Sequence, residues 1–165
     1  MPRISILIIV RRKIDRTPTS LNHGVMSEII YPRSPRETMC GWVYLPRFVD
    51  KIRLHLAGKL HADYQENFTK GFDKAWLKAA GVTPEEIIVV VKNSITDGEV
   101  ADWVGKHVKK SEADKAAFRE FILKRGTEGG EITERLNTRK QESGLAHRDD
   151  IKCFVDYIDA DEKRL

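Results

Sequence analysis

Three arginines carry most of the chemical interest of this chain: Arg33, Arg36 and Arg47, each directly after a proline. Proline at the first helical position starts helices, so Pro35-Arg36 and Pro46-Arg47 read as helix N-termini. A guanidinium there has the wrong sign for the helix dipole and needs an acidic neighbour, water or a bound anion. From Arg47 the positions four, eight and twelve residues on are Lys51, His55 and Lys59, which a helix places on one edge. Like charges at that spacing cost a few tenths of a kcal/mol per pair, roughly, unless acids answer them. Arg33, Arg36, Arg47, Lys51 and His55 are therefore the expected contacts of a small anion bearing phosphate or carboxylate. The structural alternative is that Glu37, Asp50 and other carboxylates neutralise the cluster and the lysines are simply solvated.

Other residue types give weaker signals. His55, His61 and Asp63 are near in sequence, but their spacing matches no metal-ligand pattern, and no metal or cofactor is expected. Cys40 and Cys153 are far apart and outside any Cys/His cluster, which argues against disulfide and zinc frameworks and suits a reducing, cytoplasmic compartment. Cys40 could be a thiol activated by nearby arginines, although a buried inert cysteine is the commoner state. His147-Arg148-Asp149 matches a kinase catalytic-loop triplet, yet the glycine-rich loop, pairing lysine and DFG are missing.

Composition bounds the remaining options. The 165 residues are 41% hydrophobic and 33% charged, suited to one globular domain with a sizeable core. The net charge of +4 is local: residues 1–25 hold five bases and one acid, leaving 24 of each in residues 26–165. A neutral body offers no extended positive field, so nucleic acid is not an expected partner. The Ile4–Val10 run is too short to cross a membrane and does not have the layout of a signal peptide.

Residues 1–25 read as a leader, strand-like over Ile4–Val10 and then a polar linker, and residues 26–165 as one domain. The latter is expected to be all-α, a compact bundle of about six to seven short helices. Ser34-Pro35-Arg36-Glu37 has the form of a capping box and predicts a short helix near 35–40, followed by a central one near 46–60 with Phe48, Val49, Ile52, Leu56 and Leu60 inward. Further helices are expected near 71–80, from Thr83, from Thr96, from Ser111 to Gly126, over 131–143 and over 148–159. Ile87–Val91 could be a strand, but the Thr-Pro-Glu-Glu start before it favours a helix. The 131–143 helix has only Ile132 and Leu136 as apolar anchors, and the RGTEGG stretch before it could be a hinge that makes it a lid.

PRSPRET at 32–38, GWVYLPRFVDKIRLHLAGKL at 41–60, HADYQENF at 61–68, Asp97-Gly98-Glu99-Val100 with Trp103, and AHRDDIKCFVDYIDADE at 146–162 together resemble a bacterial family, domain of unknown function 5069. The resemblance runs from about Pro32 to the C-terminus. It implies a compact helical domain and brings no catalytic residue with it. Two functions follow as expectations: a small-anion ligand-binding domain, possible as an enzyme, or a non-catalytic module that docks an acidic protein surface on the basic stripe.

Overall fold

The computed structural model describes residues 29–165; the leader call over residues 1–25 lies outside the described residues. Two short strands, β1 (Thr38–Met39) and β2 (Trp42–Val43), pair antiparallel in a hairpin. Eight helices follow among the described residues: α1 (Leu45–Leu56), α2 (Ala62–Gln65), α3 (Phe72–Ala80), α4 (Pro84–Asn93), α5 (Asp97–His107), α6 (Glu112–Lys124), α7 (Gly130–Glu142) and α8 (Phe154–Asp161). The fold is thus mainly α, as expected, with a small hairpin added.

The hairpin replaces the helix expected near 35–40. Glu37 N–H donates to the Ser34 carbonyl and Arg36 N–H to the Ser34 hydroxyl, so the capping-box residues close a turn that no helix continues. Cys40 and Gly41 then both take positive φ, 44° and 84°, as the tip of a two-residue hairpin requires. Tyr44, also at positive φ (73°), swings the chain from β2 into α1. A non-glycine residue in that region is held there by its surroundings, and here the tyrosine side chain is fully buried.

Start signals elsewhere behave as local chemistry dictates. Thr83, Thr96 and Ser111 each accept from the backbone N–H three residues on, and Glu86, Glu99 and Asp114 reciprocate. The first of these boxes settles Ile87–Val91 as helix. Helix α1 stops at Leu56 instead of 60, because Gly58 turns left-handed (φ 66°) and the amides of Lys59 and Leu60 return to the Leu54 carbonyl. Leu56, expected inside, is consequently exposed. The last helix begins at Phe154, not 148, since Arg148 forks onto Asp150 in a turn before it.

One core joins these elements. Trp42, Phe48, Trp76 and Phe118 meet edge-on at centroid separations of 5.6–6.0 Å. Ile52, Ile87, Val91, Val100, Val104 and Ile122 complete the cluster. Helix α1 packs on α4 and the hairpin, α6 on β2, α3 and α8, and α7 on α8. Helix α7 is tied at both ends. The Thr133 hydroxyl donates to the Gly126 carbonyl at 2.7 Å, and Lys140 reaches the Arg148 carbonyl at 2.8 Å. Those ties do not suit the lid suggested by its composition.

Candidate functional site

The five predicted anion contacts do not converge on one hollow. Arg33 forks onto Asp50 with two bonds of 2.8 Å and reaches Asp97 at 2.6 Å, where Arg53 also binds. Arg36 pairs with Asp156 and lies 3.6 Å from Asp159. Arg47, buried, forks onto Glu162 at 2.9 and 2.5 Å and donates to the Arg33 carbonyl at 2.8 Å. Lys51, also buried, meets Asp73 at 2.5 Å. His55 alone of the five has no acidic partner among the described residues; it is exposed and stacks on Phe68 at 4.4 Å. The physical reason is solvation: a cation taken out of water by packing must acquire a carboxylate, or it costs several kcal/mol, roughly. An acidic protein surface approaching the stripe would likewise find Arg47 and Lys51 already covered.

Two buried clusters result. Asp73, with no exposed surface, accepts from Lys51, from the Tyr44 hydroxyl at 2.7 Å and from the Thr69 amide at 2.9 Å. Glu162 accepts from Arg47, from the Tyr64 hydroxyl and from Arg164, which also donates to the Pro32 carbonyl. Burial pushes the Lys51 pKa down, and Asp73 recovers only part of the loss. Arg47 goes the other way: burial lowers it, but Glu162, Tyr44 and Tyr64 together outweigh burial and leave it raised. Burial likewise pushes the Tyr44 hydroxyl up, with Asp73 adding to the effect. These groups are perturbed as catalytic groups often are. Neither of the two depressions described below is lined by them, however, and their hydrogen bonds run between elements of the fold.

Sequence reasoning named the cations and one partner, Asp50, which answers Arg33 as the structural alternative had it, but missed Asp73, Asp97, Asp156 and Glu162. A signal was present. Asp73 shares a face of α3 with Trp76, Leu77 and Ala80, and Asp159 shares one of α8 with Val155, continued by Glu162 at the C-cap; all are buried. A carboxylate where the apolar period demands a hydrophobe marks a buried ion pair.

Open surface chemistry lies elsewhere. A depression of about 360 Å³ separates the hairpin tip from the end of α5 and the start of α6. Buried Trp42, Val104 and Val108 form its base, and Cys40, Gly105, Lys109, Lys110 and Lys115 its wall. Lys115 pairs at 2.8 Å with Glu112, which is largely exposed; Lys109 and Lys110 make no ion pair within 4 Å among the described residues, although the Ser111 bonds and then the Lys110 charge lower the Asp114 carboxyl pKa. No carboxylate lines the hollow. Burial raises the Cys40 thiol pKa while Lys115 opposes it, so the thiol is not set up as a nucleophile. A second depression of about 440 Å³ is lined by His55, Gly58, Leu60, Gln65 and Phe68 and holds no lysine or arginine.

His61 caps α2 and lies 3.3 Å from Asp63, apart from His55. Among the described residues no group of three or more His, Cys, Asp or Glu side chains is placed to hold a metal, and no helix is long and apolar enough to cross a membrane. A family model described as a domain of unknown function, DUF5069, matches residues 29–164. No curated protein matches the chain.

Proposed function

This chain belongs to the DUF5069 family, a domain of unknown function, and we propose that it binds a small anion bearing phosphate or carboxylate in the lysine-walled depression. The observation that carries the reading is that three lysines, two of them without an ion pair among the described residues, line one concavity to which no carboxylate contributes. The expected ligand class is retained from the sequence; the site moves from the arginines to Lys109, Lys110 and Lys115. Ammonium groups on flexible stems supply charge without the forked geometry of arginine, which suits recognition of a phosphate as a point charge. The two free cysteines, one exposed and one buried, fit a cytoplasmic setting.

The affinity should be modest. Exposed ion pairs contribute about 0.2–1 kcal/mol each, so three contacts give at most about 3 kcal/mol and a dissociation constant on the order of 10 mM for inorganic phosphate. Titration calorimetry with inorganic phosphate at low ionic strength checks this. Heat of binding that the double variant Lys109→Ala/Lys110→Ala abolishes is the expected result. Absence of binding at tens of millimolar, or binding indifferent to that variant, would overturn the proposal.

A further inference from the structure

Resting on that reading, we infer that the guest carries an apolar body beside its anionic group, and that Gly105 is the residue that makes room for it. The depression, at about 360 Å³, falls within the roughly 300–1,000 Å³ of small-molecule sites and exceeds what a bare phosphate fills. Its base is carbon: Trp42, Val104 and Val108, with the aliphatic stems of the lysines around it. The wall is cationic and the base apolar, which matches an organic phosphate or carboxylate better than an inorganic ion.

Gly105 supplies the independent observation. It lies inside α5, where glycine is among the poorest helix formers. Most other glycines have a backbone reason. Gly41 needs φ of +84° and a Cβ there would meet Lys115 at 3.0 Å; Gly126 needs +110° and would meet Leu136 at 3.0 Å. At Gly105 neither applies: φ is not positive, and a Cβ would meet nothing within 4 Å. A side chain at this position would therefore project into open space on the wall of the depression. The fold does not need this glycine, while a guest resting on the base does.

The test compares phenyl phosphate with inorganic phosphate on the wild-type chain, Gly105→Ala and Gly105→Leu. Burial of one phenyl ring should make phenyl phosphate bind about tenfold tighter than inorganic phosphate to the wild type. Gly105→Ala should raise the melting temperature and erode that preference, and Gly105→Leu should remove it. Equal affinity of the two probes for the wild type, or a preference that survives Gly105→Leu in a folded variant, overturns the inference while the anion site stands. If neither probe binds the wild type, the anion site itself has failed.

Discussion

Asp73→Ala lowers stability by about 3–5 kcal/mol, the cost of leaving one member of a buried ion pair alone. The carboxylate has no exposed surface and serves three donors: the Lys51 ammonium, the Tyr44 hydroxyl and the Thr69 amide. All three lose their acceptor at once, and water cannot replace it without opening the packing around α1 and α3. Natural domains hold only about 5–15 kcal/mol in total, so the variant stands near its folding threshold. Urea denaturation followed by far-ultraviolet circular dichroism measures the loss. Lys51→Met/Asp73→Leu is the informative companion. It removes both charges together and should recover most of the stability, because the pair's attraction is largely offset by its desolvation. If the single and double variants are equally damaged, volume matters at this site more than charge.

Arg47→Ala is the second large effect, again about 3–5 kcal/mol by the same reasoning. It strips Glu162 of its forked partner, frees the Arg33 carbonyl and leaves the Pro32 carbonyl to Arg164 alone. The variant also changes the acid limb of stability. Burial tends to raise the Glu162 pKa, but the bonds and charge of Arg47, joined by bonds from Tyr64 and Arg164, outweigh burial and hold it below the usual glutamate range. A depressed carboxylate contributes stability that is complete above its unfolded value of about 4.3 and is lost as pH falls through the lower folded value. Without Arg47 the lowering is weakened, so the acid unfolding midpoint should move to higher pH. Acid titrations of both proteins, read by tryptophan fluorescence, check the direction. An unchanged midpoint would mean that Arg164 and Tyr64 suffice to keep Glu162 ionised.

How much of this was legible in the sequence depends on the range of the interaction. Thr83, Thr96 and Ser111 started helices where they should, because a cap is completed within three residues. The Ser34 turn mimicked such a cap. What decided against a helix was the pair of positive φ values at Cys40 and Gly41 and the packing of Trp42, and only Gly41 announces itself locally. The arginines were correctly marked as needing anions. Their partners are protein carboxylates, lying 17, 64, 115 and 120 residues away for Asp50, Asp97, Glu162 and Asp156. No local pattern links such positions. The buried acids on the apolar faces of α3 and α8 were the readable half of that pairing. Lys109, Lys110 and Lys115 looked like ordinary solvated charges, and only the fold brings them to one hollow beside the hairpin.

The cations around α1 hold the fold together through buried carboxylates, and those beside the α5–α6 connection are the proposed anion contacts. Amide chemical-shift mapping during a titration with inorganic phosphate tests this assignment most directly. Saturable shifts are expected at Cys40, Gly105, Lys109, Lys110 and Lys115, with the amides of Arg33, Arg36, Arg47 and Lys51 unmoved. Shifts centred on the α1 arginines, or none that saturate, would contradict it.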